Sequence, residues 1–325
     1  MAKVKKKICL LLAGGTWTMD KAKHMLSVNQ TDDIDAWLKT MPELSILSDL
    51  EIRLIYNEEE KLDFKSWENI ASFIAKNHQK YDGFVLVTKS EQLVPATVTL
   101  NFLLQNLSTS IVVTGSQMAG LQTKEKKDAM QYLVAQQGGL GLRSNLINAV
   151  QVVWETLPQP AIMFGSRLIA GVKAQLEYQQ GKYILASVDE NYLAKIDFGI
   201  TFKQDLQHSK KAIQIFKNIN QDILILDDRL PFDLEIKCLD KYKAIFVNMH
   251  DEELSIKQKK YLQSLDKPVI LYHINQIFTD NDFINLIGCT QDVALVKTMW
   301  AIANIAPNDL AKVLKSNIVD EFINV

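Results

Sequence analysis

The chain has 325 residues, 47% apolar and 23% charged, and its 36 basic against 38 acidic side chains leave a formal charge of −2. That composition belongs to a soluble globular protein of about two domains. It offers no basic stripe for nucleic acid and no apolar run near the ~20 residues that span a bilayer.

Three cysteines, Cys9, Cys238 and Cys289, are odd in number and far apart. They make neither a disulfide framework nor a metal-ligand spacing, and a reducing cytoplasm suits them. The lysines between Lys3 and Lys7 precede a six-residue apolar run, Ile8 to Ala13, which is too short for a leader and reads as a buried first strand. Glycine is scarce, at 13 residues, about 4% of the chain against a usual ~7%.

Short apolar runs alternate with helical periodicity, the pattern of a parallel sheet covered by crossover helices. Ile8–Ala13 ends at Gly14 and Gly15. Ile52–Tyr56 reads as a strand, and Phe64, Trp67, Ile70, Ala71 and Ile74 share one helical face. Gly83–Thr88 is the next strand, followed by a helix with Pro95 in its first turn, where a missing N–H costs nothing. Ser110–Thr114 is a strand, Gln117 to Gly141 a surface helix or loop, Asn145–Val153 a helix and Ala161–Phe164 a strand. Tyr183 to His208 reads as irregular, with a boundary near Lys203 to Lys211.

Beyond it, Ile223–Leu226, Ala244–Asn248 and Val269–Tyr272 are expected strands. Ser255 and Gln258 give a capping-box spacing for a helix, Asp292–Asn304 is a helix, and Pro307 opens the last one. The expected class is α/β: a doubly wound parallel sheet over 1–205 and a smaller α/β domain over 206–325.

Gly14-Gly15-Thr16 stands at the carboxyl end of the first strand, where open α/β sheets bind ligands. Alone it reads as a ligand loop or simply as a tight turn. It is followed in order by Tyr81-Asp82-Gly83-Phe84-Val85, Val112-Val113-Thr114-Gly115-Ser116-Gln117, Asn145-Leu146-Ile147-Asn148-Ala149-Val150, Phe164-Gly165-Ser166-Arg167-Leu168 and the helix Thr290-Gln291-Asp292-Val293-Ala294-Leu295-Val296-Lys297-Thr298-Met299. This series resembles the bacterial and archaeal cytoplasmic L-asparaginases nearly end to end. The resemblance implies a larger doubly wound domain and a smaller α/β domain. It also implies a homo-dimer or homo-tetramer with sites near the subunit interface. A related amidotransferase subunit that acts on glutamyl-tRNA carries an extra N-terminal domain, and a chain beginning at the first strand fits it less well.

That family hydrolyses an amide with an activated threonine, a hydroxyl being a poor nucleophile until its proton is taken. Thr16 matches the first family threonine, beside Gly15. At the second catalytic threonine the sequence has Glu91, and the aspartate that holds the substrate amine is replaced by Gln92. Gly171-Val172-Lys173-Ala174-Gln175-Leu176 matches the stretch that carries the catalytic lysine, whose position holds Leu176. The serine that binds the substrate α-carboxylate falls within Glu58-Glu59-Glu60, best at Glu59, where a negative charge would repel a carboxylate. Asp128-Ala129 resembles the aspartate before the family's Asn-Leu helix, and the mobile-loop tyrosine has no counterpart between Thr18 and Ile55.

Gly15, Glu59, Glu91 and Gln92 are therefore the candidate substrate positions. Thr16, with the replaced positions Glu91, Gln92 and Leu176, is the candidate catalytic set. Lys89 and Lys173 are the nearby cations. His24, His78, His208, His250 and His273 show no metal spacing, and no cofactor is expected. The acidic run after Asn248 reads as a cation loop or a solvated helix entry.

The leading expectation is a cytoplasmic, catalytically degenerate amidohydrolase that keeps fold and cleft. The rivals are an active asparaginase or related amidohydrolase rearranged around Thr16, Glu91 and Lys89, and a sensor of a small molecule. Any ligand would be a small amide or amino acid.

Overall fold

The computed structural model describes residues 5–19, 25–116, 142–179, 182–203, 206, 211–230, 239–250, 253–275 and 282–323. The expected excursion over 117–141, with Asp128, lies outside them. The chain divides into two compact units, Met1–Ile215 and Phe216–Val325.

The first unit opens with β1 (Lys7–Ala13), a small pair β2 (Thr18–Met19) and β3 (Met25–Leu26), short helices α1 (Asp33–Leu38) and α2 (Glu43–Leu47), and β4 (Asp49–Tyr56). It continues with α3 (Phe64–Asn77), β5 (Gly83–Thr88), α4 (Leu93–Leu103), β6 (Leu104–Gln105), β7 (Ser110–Thr114), α5 (Leu142–Val152) and β8 (Ala161–Phe164). Then come β9 (Arg167–Ala170), β10 (Ala174–Gln179), β11 (Lys182–Ser187), β12 (Ala194–Ile196), β13 (Ile200–Phe202) and β14 (Gln214–Ile215).

Eight strands form one sheet in the order β13-β12-β9-β8-β7-β5-β1-β4. The run from β4 to β8 is parallel, and β9, β12 and β13 add antiparallel strands at one edge. Residues 8–13 of β1 and all of β5 are buried, as strands covered on both faces must be. Their side chains alternate across the sheet. Ile8, Leu10 and Leu12 share a cluster with Val85, Val87 and Val112 and with Leu146 and Ala149 of α5, and Trp37, Met41 and Leu44 join that cluster.

Helix α3 begins at a reciprocal capping box. Asp63 Oδ1 accepts the Ser66 N–H at 2.9 Å, and the Asp63 N–H donates to Ser66 Oγ at 3.3 Å. Its buried face carries Trp67, Ile70, Ala71 and Ile74, as the periodicity predicts, while Phe64 at its start is only half-buried. Helix α4 is buried on nearly every side, the expected state of a helix apolar all round.

The segment expected to be irregular, Tyr183 to His208, instead holds most of β11 and the β12–β13 hairpin. Strands of three residues paired antiparallel at a sheet edge are too short to show an alternation. β9 and β10 each begin within a few residues of the strand before it, and both escape the sequence reading, although Ala174 to Gln179 alternates apolar with polar residues.

The second unit carries β15 (Ile223–Asp227), β16 (Ala244–Asn248), α6 (Ile256–Gln263), β17 (Val269–His273), β18 (Ile284–Ile287), α7 (Gln291–Asn304) and α8 (Leu310–Leu314). Its four strands are parallel in sequence order. The capping box at the start of α6 is present, with Ser255 and Gln258 bonded reciprocally. Thr290 caps α7. Pro307 opens a 3₁₀ turn, Pro307–Asp309, that leads into α8.

Candidate active site

The parallel strands follow the order β4-β1-β5-β7-β8, so the chain reverses its direction of strand addition between β1 and β5. Ligands of open α/β sheets bind at the carboxyl ends of strands at such a switch point. The Gly14-Gly15-Thr16 turn leaves β1 there, and Lys89-Ser90-Glu91-Gln92 leaves β5 beside it.

Both glycines of the turn have positive φ, +71° at Gly14 and +67° at Gly15, a region that side chains with a Cβ rarely enter. Close approach demands Gly15 as well, because a Cβ on it would lie 2.2 Å from the Thr88 carbonyl oxygen. Thr88 Oγ1 donates to the Ala13 carbonyl at 3.1 Å, which ties the ends of β1 and β5 together.

Thr16 is fully buried. Its hydroxyl donates to Glu58 Oε1 at 2.6 Å and accepts the Val28 backbone N–H at 2.9 Å. The Thr16 backbone N–H also donates to Glu58 Oε1, at 2.5 Å, and the Thr16 carbonyl accepts Trp37 Nε1–H at 2.6 Å.

Glu58 is presented by a turn that Asn57 organises at the end of β4. Asn57 Oδ1 accepts the N–H groups of Glu59 and Glu60, and Glu60 Oε2 accepts the Asn57 N–H. Lys89 Nζ donates to the Glu60 carbonyl at 3.1 Å. Within the acidic triplet, then, Glu58 faces Thr16, while Glu59 is exposed.

The other expected positions do not converge on the threonine. Glu91 is exposed and Gln92 half-buried at the start of α4, and neither bonds to Thr16 among the described residues. Glu91 instead acts electrostatically on Tyr183 of β11, whose hydroxyl is pushed up mainly by burial and secondarily by that carboxylate. Leu176, at the family's lysine position, is half-buried on β10 opposite Leu185. Lys173 is buried, with Nζ 4.0 Å from Asp189 Oδ2, so it is a packed, paired cation and not a solvated one. Ser90 is buried and donates to the Ser116 carbonyl.

Two contributors escape the sequence reading. Glu58 gave no signal that set it apart from Glu59 and Glu60. Asn145 is fully buried on α5, donates to the Gly115 carbonyl at 2.7 Å and accepts the Gly165 N–H at 3.0 Å. It thereby joins the end of β7 to the β8–β9 turn, and its place in the matched Asn-Leu helix was its only sign.

In the second unit, Asp227, Asp228 and His250 each place a ligand atom within 4.8 Å of the others. Arg229 already forks onto Asp227 at 2.8 and 2.9 Å and holds that carboxyl well below the usual range, and His250 Nε2 lies 3.1 Å from Asp227 Oδ2. A guanidinium thus supplies the positive charge at this corner. Asp251 and Glu252 lie outside the described residues. A cavity of about 560 Å³ is lined by Leu47, Trp154, Phe198 and their neighbours, and none of the candidate site residues contributes to it.

A 2-1-3-4-5 parallel core with a Gly-Gly-Thr turn at its switch point, followed by a separate parallel α/β unit, defines a two-unit α/β protein whose candidate site lies at strand ends. The chain belongs to the asparaginase family: the model of the asparaginase N-terminal domain matches residues 7–208.

L-asparaginase 1 of Escherichia coli K12 is 25% identical over 124 residues, a match that covers 38% of this chain and 32% of that protein. The match therefore spans about a third of the length of that curated relative. The crystal structure of L-asparaginase I from Vibrio cholerae aligns with a TM-score of 0.75 at 18% identity, over 99% of this chain and 100% of that one. The thermostable L-asparaginase of Thermococcus kodakarensis gives 0.72 at 14%, covering 98% and 100%. A probable cytoplasmic L-asparaginase from Campylobacter jejuni gives 0.72 at 17%, covering 95% and 99%. At these identities the likeness is one of fold. Among the described residues, no helix is long and apolar enough to cross a membrane.

Proposed function

We propose that this protein is a catalytically impaired member of the asparaginase family, retaining the fold and the cleft at Thr16 but not the hydrolytic set. The observation that carries this reading is the state of the Thr16 hydroxyl. It is fully buried, its proton is directed to Glu58 and one of its two lone pairs is taken by the Val28 N–H. A nucleophile needs a lone pair open to the substrate, and a fully buried hydroxyl held by the chain through both its proton and one lone pair is poorly placed to offer one. The replacements at Glu91, Gln92 and Leu176 support the same reading, since function lives in the site and not in the fold. The ligand, on this reading, is a small amide or amino acid, and the protein is a cytoplasmic homo-dimer or homo-tetramer like those the sequence resembles.

A second reading has one observation in its favour. A carboxylate 2.6 Å from a threonine hydroxyl has the geometry of a nucleophile with its base, so an active amidohydrolase rearranged around Thr16 and Glu58 is the rival. Ammonia release from L-asparagine and L-glutamine by the purified protein separates the two. The expected result is no turnover above about 1 s⁻¹, the low end for ordinary enzymes. Faster release that vanishes in Thr16→Ala would establish the rival. Thermal stabilisation by an amino acid without turnover would point to a sensor.

A further inference from the structure

Two donors at Thr16, the backbone N–H and the hydroxyl, converge on the single oxygen Glu58 Oε1. An N–H and an O–H meeting at one anionic oxygen form the donor set of a carboxylate site. The positive-φ glycines before Thr16 hold its N–H in that direction, and the place is the switch point of the sheet, where ligands enter.

The carboxylate now there belongs to the chain. Glu58 stands on a turn whose own bonds, Asn57 Oδ1 to the N–H groups of Glu59 and Glu60 and Glu60 Oε2 to the Asn57 N–H, do not involve the Glu58 side chain. The turn therefore presents Glu58 to Thr16 without depending on that contact.

We propose that Glu58 is a built-in occupant of a carboxylate subsite at Thr16, and that a small free carboxylate binds there once the Glu58 side chain is removed. The inference rests on reading the Thr16 cleft as a retained ligand site. A tethered carboxylate competes at an effective concentration of millimolar or more, so free carboxylates at lower concentration lose to it. The wild-type site is self-occupied.

Acetate is the probe. The full-length wild type, Glu58→Ala and Glu58→Gln are melted in about 100 mM sodium acetate and in sodium chloride of the same ionic strength, which equalises screening. Glu58→Ala is expected to melt higher in acetate than in chloride, and adding Thr16→Ala should shrink that gain. The wild type should gain less than Glu58→Ala, because its tethered carboxylate competes with the acetate, and so should Glu58→Gln, whose amide oxygen still fills the position. A folded Glu58→Ala that melts identically in both salts overturns the proposal. If Glu58→Ala does not fold in chloride, recovery of its circular dichroism in acetate supports the proposal and failure to recover overturns it. Ammonia release by the wild type is assayed separately. Turnover there defeats the impaired-enzyme reading alone, whereas a missing acetate effect without turnover defeats the occupancy proposal alone.

Discussion

Lys297 Nζ lies 2.6 Å from Glu321 Oε1, and neither side chain is exposed to solvent. Lys297, from the middle of α7, also donates to the Ser316 carbonyl at 2.6 Å and lies 4.3 Å from the Phe322 ring centre. Glu321 accepts the N–H groups of Ile318 and Val319. One helical lysine thus gathers the C-terminal segment onto the second unit.

Removing one partner of such a pair strands the other charge in the interior, at a cost of about 3–5 kcal/mol. Glu321→Ala should lose stability on that scale in urea unfolding. Lys297→Met with Glu321→Gln should recover most of it, because the double substitution leaves no buried charge and the amide oxygen still accepts the Ile318 and Val319 N–H groups. A single-variant loss below about 1 kcal/mol would contradict the geometry, being the size expected of an exposed pair.

Glu51 on β4 is flanked by Tyr81, Arg53 and Lys80, and their hydrogen bonds, Tyr81 first, lower its carboxyl to about 2. A carboxyl depressed in the folded state favours folding while it is ionised. Its contribution is full above the ordinary carboxylate value and is lost as pH falls from there to about 2. The melting temperature of Glu51→Gln should therefore lie below that of the wild type at pH 7, with the gap closing across the acid range. A gap that widens on acidification would reverse the sign and refute the assignment.

Gly15→Ala meets two obstacles, a backbone at φ +67° and a Cβ 2.2 Å from the Thr88 carbonyl oxygen. A left-handed conformation alone costs about 1–3 kcal/mol in a residue with a Cβ, and the overlap forces β1 and β5 apart besides. The variant should lose at least about 2 kcal/mol in chemical unfolding, whereas Gly199→Ala, with nothing near its Cβ, should change stability little.

Thr16→Val keeps the shape of the side chain and deletes its hydroxyl. The Val28 N–H then has no acceptor in a buried place, at a cost of about 1–3 kcal/mol. Faster hydrogen exchange at the Val28 amide is the specific readout, and unchanged protection there would mean that the bond contributes nothing. On the impaired-enzyme reading the substitution leaves ammonia release where it was, at background.

The sequence alone determined those features that depend on local chemistry. The first, third and fourth strands of the parallel core are unbroken apolar runs, because a strand covered on both faces has no polar side. The capping box at Ser255 and the face of α3 follow from spacing along one helix. The Gly-Gly-Thr turn carries its conformational requirement in its residues, and the family motifs carry the class of fold.

Tertiary structure decided what lies against Thr16. Asn57 starts a turn that aims Glu58, and not Glu59, back at β1. That choice depends on parallel pairing of β1 with β4, whose register shifts between Leu12 and Ala13. Three consecutive glutamates look alike along the chain, and only the pairing of two strands distant in sequence tells them apart. The edge strands β12 and β13 exist for the same reason, since three residues acquire a conformation from the neighbour they pair with and not from their own pattern.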